Sequence, residues 1–569
     1  MRCFVIIRII AFLAFLFTSY FLSAQTIPGH LLVVGGGSEK VNGWSDAPYS
    51  WAIDQSVNKR VAIITYDSEP GTWLPNYFMN LGAVEAKNFV IPNSNVANLQ
   101  EIYDSLITYN VVFFKGGDQW KYYQYYKNTL THQAVQEVFD NGGVICGTSA
   151  GLAILSGVVY TAENGSVYSD EALENPFNSY MTLENDFFNF LPGYIFDSHF
   201  IERARFGRLM GFLGNWSIAY NESIRGIGVD DKTAFCIGSD LTGLVFGTGA
   251  VNFYTPNPIN EYRLSGEKLL ANYIEVKQLL HECTINLNTL EYTGLDSWLE
   301  PLPGEFTFHN NLWLSGSDKI YHNTLLINKF SALLEPQDTV LIITGLNTST
   351  AVFFTDFLDG LGRPNLIFQA ISMNVNNALW KMRIENLSHY LFVGNDFETL
   401  MDFFGTWPNG SLLKDLTLSG GKQVAMVGDN SRFAGKTVLV NYEQEYASYD
   451  GELDFRPGLG LLCNAIVMPK TFSSDIDNEN AASGIPYGMV LENLKYGIWL
   501  HDNCFMKYTP VDEYVTITSF GDFPMIWMEN QDGTNGGFST QSAVNSGEPR
   551  DVAGFGKFRI SQRQYSNTN

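Results

Sequence analysis

A serine, a histidine and a pair of aspartates, each placed beside an apolar run, are the residues of this sequence best suited to covalent chemistry. Ser149 stands in Gly147-Thr148-Ser149-Ala150-Gly151, where the apolar "GGVICG" gives way to the helix-forming "LAIL". A Gly-x-Ser-x-Gly turn between strand and helix bends the backbone sharply, and its small neighbours let the serine oxygen stand clear of the fold. The N–H groups at the start of the following helix can then stabilise an oxyanion. His199, delivered by the apolar "GYIF" and lying beside Asp197, is the best candidate for the base that takes the serine proton. "GIGVDDKTAFCIG" offers a third member at a strand end, Asp230 or Asp231. Arg203, Arg205 and Arg208 follow the histidine. On a helix Arg205 and Arg208 are i,i+3 neighbours, and positive charge gathered on an acidic protein suits an anionic substrate.

Elements able to hold these residues alternate along the chain. "HLLVVGGG", "RVAIITYD", "KNFVIP", "NVVFFKGG" and "GGVICG" are short, β-branched and apolar, as buried strands must be. Between them "APYSWAIDQSV", "TWLPNYFMNLG", "VANLQEIYDSLITY" and "HQAVQEVFDNG" space their apolar residues as helices do. Apolar strands alternating with helices predict an α/β fold with a parallel sheet covered on both faces, and ligands bind at the carboxyl ends of such strands. Every glycine-rich turn above lies at such an end.

The same order returns after residue 300. "LWLSGSDK" follows "LLVVGGGSEK", "TVLIITG" follows "RVAIITY", "YLFVGNDF" follows "VFFKGGDQW", "GGKQVAMVGDNSRFAG" follows "GGVICGTSAGLAILSG", and "YGIWLHDNC" follows "RGIGVDDKT". Ordered matches at nearly constant separation predict a duplicated domain, with a boundary in "LDSWLEPLPGEF" near residue 300. The expected organisation is residues 1–24 as a signal peptide, 27–300 and 301–528 as two like domains, and 529–569 as a polar, loop-rich tail. In the second copy the chemistry is gone. Val427 pairs with Ser149, Asp396 with Gln119 and Thr471 with His199, while "SSDIDNENAA" replaces the arginine string and only Asp231 keeps a counterpart, Asp502.

The bulk properties narrow the function. The chain of 569 residues is too long for one core, and 45% hydrophobic with 16% charged residues describes a globular protein. A net charge of −25 argues against nucleic acid as a partner. Arg2 and Arg8 before "IIAFLAFLFTSYFLSA" predict a cleaved secretory signal ending at Ala24, hence a secreted or periplasmic protein with no membrane span after cleavage. The cysteines left after cleavage are odd in number and sparse, which is no disulfide scaffold. No CxxC, HExxH, calcium-loop or Walker pattern occurs, and "GGGSEK" puts Lys40 where a dinucleotide fingerprint needs glycine, so neither metal nor cofactor is expected.

"KGGDQ" (115–119), "GTSAG" (147–151), "DSHFIERARFGRL" (197–209) and "GIGVDDKTA" (226–234), in that order, resemble the cyanophycinase family. That family stands with the aspartyl dipeptidases, serine peptidases on a class I glutamine-amidotransferase-like, flavodoxin-like α/β fold. The resemblance covers roughly residues 27–260. It implies Ser149 as nucleophile, His199 as base, and Gly117 and Ala150 as oxyanion N–H donors. Gln119, Asp197, Arg203, Arg205 and Arg208 would line the pocket and hold an aspartyl-type substrate. The family usually has Glu where this chain has Asp231, one methylene shorter. Family members pair like domains, so the second half would act as a built-in, inactive partner in a monomeric pseudo-dimer.

The expected function is a secreted serine-type hydrolase that cuts a peptide or isopeptide bond next to aspartate, in a peptide or aspartyl polymer, through an acyl-enzyme on Ser149. One alternative is an esterase using the same elbow, although α/β-hydrolases order their triad Ser, acid, His rather than Ser, His, acid. A second is a catalytically inactive binding protein on the same fold. An amidotransferase would need a nucleophilic cysteine, and Cys146 lies three residues before the serine.

Overall fold

The computed structural model describes residues 26–552 apart from 204, 257–261, 272–273, 280, 294–309, 320–322, 346–366, 371–377, 395, 420, 445–446, 448–451, 472–479, 493, 503, 512–513, 522–524, 531–537 and 544–548. The expected signal segment, 1–24, lies outside the described residues. Among the described residues no helix is long and apolar enough to cross a membrane.

The strand-like runs of the first half form a parallel core. β1 (His30–Val34), β2 (Arg60–Thr65), β3 (Glu85–Val90), β4 (Val111–Phe114) and β5 (Val144–Thr148) pair in the order β1-β5-β4-β2-β3, all parallel. Alternate residues feed opposite faces, as the two-residue strand period requires. Leu31, Val33, Ala62, Ile64, Val112, Phe114 and Ile145 pack into one core. Leu32, Val34, Val61, Ile63, Val111, Phe113 and Cys146 pack into another. Both faces of β1, β2, β4 and β5 are therefore dry, which explains why these four are apolar at nearly every position rather than every second one; the edge strand β3 buries only Phe89.

The sheet is not purely parallel. After β6 (Ser156–Tyr160), β7 (Leu191–Asp197) and β8 (Arg225–Val229), β9 (Thr233–Ile237) returns antiparallel to β1, and Thr242–Gly247, Thr284–Asn286 and Tyr292–Thr293 extend that side to nine strands. The expected parallel sheet thus covers five strands, with an antiparallel margin. In the second half an eight-stranded sheet runs Ile367–Ala370, Val340–Thr344, His389–Phe392, Gln423–Met426, Leu312–Ser315, Cys504–Val511, Tyr514–Gly521, Pro549–Val552. Its first five strands are also parallel.

A twelve-stranded sheet spans both halves. β6, Leu183–Glu184, β7, β8, Val251–Pro256 and Ile274–Leu279 come from the first, and Gly435–Leu439, Phe455–Pro457, Leu462–Pro469 and Tyr496–Leu500 from the second. The joint is made by Met525–Asn530 and Phe538–Ala543, the latter pairing antiparallel with Ile274–Leu279. The segment from Glu529 onward, expected to be loop-rich, therefore supplies strands; its polar composition hides a role that rests on main-chain hydrogen bonds. Beside this sheet one hydrophobic core mixes Phe206, Leu209, Met210 and Leu213 with Leu439, Ile466, Met468, Ile485 and Trp499. The Phe206 and Trp499 rings meet at 6.1 Å.

A fragment of residues 27–300 would leave the Phe206–Leu213 face and the Ile274–Leu279 edge uncovered. We expect that fragment to aggregate or self-associate in sedimentation velocity. A monodisperse, monomeric fragment with native-like thermal stability would show that the second half is not needed to cover it.

Candidate active site

β5 delivers Ser149 in a backbone conformation that few residues tolerate, φ 54° and ψ −117°. Its N–H donates to the Val34 carbonyl at 2.9 Å, and its own carbonyl accepts from Leu152 and Ala153. The helix that follows is a single turn, Ala150–Ala153, before the chain enters β6. So short a helix adds no long dipole at Ser149. Among the described residues, the N–H groups of Gly117 and Ala150 have no acceptor. Gly116, beside Gly117 in the loop after β4, lies against the Ser149 side chain.

His199 follows β7 and also takes a positive φ, 44°. Its N–H donates to the Gly35 carbonyl at 2.9 Å. That anchor sets the ring between two partners. Nε2 lies 2.7 Å from Ser149 Oγ, and Nδ1 lies 2.5 Å from Asp231 Oδ1. With its Nδ1 proton facing the carboxylate, the neutral ring offers the Nε2 lone pair to the serine hydroxyl. Gly36 makes the approach feasible, since a side chain there would collide with both His199 and Asp231. Burial lowers the His199 pKa; Asp231 opposes the shift, and Arg205 and Arg203 add to it. The imidazole is thus neutral at pH 7, the state a base needs.

Asp231, although shorter than Glu by one methylene, reaches the histidine. Asp230 does not compete for that place: its carboxylate accepts from the Ile201 and Ala250 N–H groups and from Asn252 Nδ2. Of the two aspartates in "DD", it is Asp231 that meets the histidine. Behind Asp231 lies Glu202, a residue the motif reading passed over inside "HFIER". Its Oε2 accepts the Asp231 N–H at 3.1 Å. Burial, then Asp230 and Asp231, hold the Glu202 carboxyl well above the usual carboxylate range.

The other expected pocket residues divide. Gln119 opens the helix Gln119–Tyr126 and rests its amide on the Tyr160 carbonyl at 3.3 Å. Asp197 is buried rather than free to meet substrate: Arg208 grips both its oxygens, Arg205 reaches Oδ1 at 3.3 Å, and the Ser198 N–H donates to it. Arg208 is spent in that grip and only 3% exposed, so it is a foundation of the site. Arg205 also donates to the Ser198 carbonyl at 2.7 Å. Burial, then the neighbouring Arg208 guanidinium, push the Arg205 pKa down, so added negative charge nearby would be welcome. Arg203 is exposed and, among the described residues, has no ion-pair partner. Cys146 lies buried in β5, and burial pushes its thiol pKa far up, which removes it as a nucleophile.

In the second half two of the expected pairings, those of Ser149 and His199, move by one residue. Strand register places Gly428, not Val427, beyond Met426 as Ser149 lies beyond Gly147. The bend sits there too, φ 58° at Gly428, while Val427 is extended at φ −114°. A β-branched residue resists positive φ, which is why the bend has passed to glycine. Likewise Lys470, with φ 54°, donates its N–H to the Gly316 carbonyl as His199 does to Gly35. Thr471 matches Phe200 instead. The Lys470 ammonium is held by Asp318 and, at 2.9 Å, by Asp429. Asp502, opposite Asp231, faces Lys319 at 3.9 Å.

Residues 76–242 match the family model of peptidase family S51. Over 237 residues the chain is 26% identical to the cyanophycinase of Synechococcus elongatus, which takes in 41% of this chain and 70% of that one. The cyanophycinase of Trichormus variabilis is 26% identical over 234 residues, 40% of this chain and 74% of its own. A solved peptidase from an acI-B1 Actinobacterium is 18% identical, aligns with 46% of this chain and 98% of its own, and has a TM-score of 0.33.

Two outcomes follow from the electrostatics. The His199 ring, followed by NMR, should titrate below its ordinary 6.5, and lower still in Asp231→Asn, which removes the raising partner. The unfolded chain takes that proton more readily, so the stability His199 contributes is full above about pH 6.5 and declines as pH falls from there to the folded value. A midpoint above 6.5 would contradict the neutral base. Arg208→Ala should cost about 3–5 kcal/mol in urea unfolding, because it strands a buried Asp197 carboxylate. Arg203→Ala should stay within about 0.5 kcal/mol of the parent.

Proposed function

On the premise of kinship with peptidase family S51, the family of the cyanophycinases, we propose that the chain is an exported serine peptidase acting beside aspartate. The observation that carries this reading is the continuous Ser149–His199–Asp231 contact, 2.7 Å and 2.5 Å long, at the carboxyl ends of the sheet. His199 takes the Ser149 proton as Oγ bonds to the scissile carbonyl carbon. The Gly117 and Ala150 N–H groups receive the oxyanion that forms. As the intermediate collapses, the carbon–nitrogen bond breaks and His199 returns the proton to the leaving amine. Water, deprotonated by His199, then releases the acyl group from Ser149.

Aspartate preference is supported by Arg203, an exposed cation with no competing ion pair, four residues after the base. Arg205, bonded to Asp197 and Ser198, is a second cation in the same segment. The relatives' name points to an aspartyl polymer. We further propose that residues 301–528 are a degenerate copy of 27–300. The shared strand order, the shifted bend at Gly428 and the anchored Lys470 support that reading. On it, the copy serves as an internal partner with one working site per chain. Residues 1–24 would be the export signal removed on secretion.

A fluorophosphonate probe should label one serine in the full chain, and Ser149→Ala should abolish both that label and hydrolysis of aspartyl p-nitroanilide. The expected loss is on the order of 10⁴-fold or more, since members of such a unit fail together. Arg203→Ala should weaken the aspartyl anilide more than the leucyl one. Undiminished turnover in folded Ser149→Ala would sink the serine mechanism; equal losses on both anilides would remove Arg203 from recognition.

A further inference from the structure

Tyr66, the residue directly after β2, stands across the elbow from His199. Strand order runs β1-β5-β4-β2, so the loops after β1 and β2 flank Ser149 from opposite sides. The Tyr66 hydroxyl accepts the Asp118 N–H at 2.5 Å and sits against Gly117, where any side chain would collide with it. Gly117, with φ 140°, is thus kept bare by the phenol, next to Gly116, which lies against the Ser149 side chain. The ring is fixed by an edge contact with Tyr122 at 5.1 Å and by Lys121 Nζ 5.0 Å from its centroid. A phenol that accepts one hydrogen bond still has a proton to give, and among the described residues no acceptor takes it. The residue as a whole is half-buried.

We propose that Tyr66 is a further substrate-contacting residue, donating its phenolic proton to an oxygen of the bound substrate on the side of Ser149 away from His199. This rests on the serine-peptidase reading above. It makes the wall formed by Tyr66 and the Gly116–Asp118 loop a recognition surface for a polar main chain rather than an apolar side chain. Tyr66→Phe keeps the ring packing and removes only the hydroxyl.

In the full-length protein, Tyr66→Phe should lower kcat/KM for aspartyl p-nitroanilide by about 3- to 10-fold, the range of one neutral hydrogen bond. The same factor should appear in the Kd of aspartyl p-nitroanilide, measured by calorimetry with Ser149→Ala against Ser149→Ala/Tyr66→Phe. A hydroxyl that only holds the loop would leave that Kd unchanged, and this result would overturn the contact. A Phe variant unfolded by circular dichroism would overturn it too, showing the hydroxyl to be structural. Failure of the wild-type chain to react with a fluorophosphonate would instead strike the serine mechanism, and so separates the two readings.

Discussion

Three successive carbonyl groups at the end of β1 hold the whole site. Val34 accepts the Ser149 N–H, Gly35 accepts the His199 N–H, and Gly36 accepts the Lys232 N–H next to Asp231. Side-chain geometry at the triad is therefore a consequence of main-chain geometry at one strand end. Each of the three loops is pinned within a residue of its functional side chain. Two of those side chains hang from positive-φ backbone that would relax if the pins were released. The demand falls back on β1 itself: its residues must be buried on both faces to stay rigid, and its extension must be glycine so that the imidazole can cross it.

Under this arrangement lies a charged foundation. Asp197 ends β7 two residues before His199, and Arg208 sits in the helix Phe206–Tyr220 that packs beneath. Removing both charges from water is costly, and the paired hydrogen bonds of the guanidinium recover most of that cost only in one geometry. The pair thus fixes how strand and helix meet, and through them where the histidine emerges. In the second half Lys470, Asp318 and Asp429 form a part-buried cluster, with Tyr442 donating to Asp429 at 2.9 Å.

Much of this was legible in the residues. Strands β1, β2, β4 and β5 announced themselves because burial on two faces forces nearly uniform apolar runs, whereas the edge strand β3 buries only Phe89. Ser149 and His199 stood out because a strand-end glycine turn and a strand-end histidine have few other uses in combination. What composition could not reveal was the direction in which charges face. Arg203, Arg205 and Arg208 read as one cluster, yet burial divides them into a foundation, an intermediate and an exposed cation. Glu202 and Tyr66 gave no signal of their own, since each meets a backbone N–H that only the fold brings near, that of Asp231 and that of Asp118. The one-residue shifts at Gly428 and Lys470 escape letter matching altogether, for register and φ decide them. The strands after Glu529 were hidden for a related reason: they join sheets through main-chain groups that any polar residue can present.

The bend displaced onto Gly428 has a bearing on the history this half can still have. A serine placed at 428 would drive its Cβ into Asp318. Replacing Asp318 would leave Lys470 with a single carboxylate, and replacing Lys470 would leave two aspartates facing each other without their cation. The bend and the ion cluster are thus interlocked: a side chain at 428 needs Asp318 to move, and moving Asp318 undoes the pairing of Lys470. This stretch of chain therefore tolerates change only in concert, and one substitution at a time meets resistance from the other two residues.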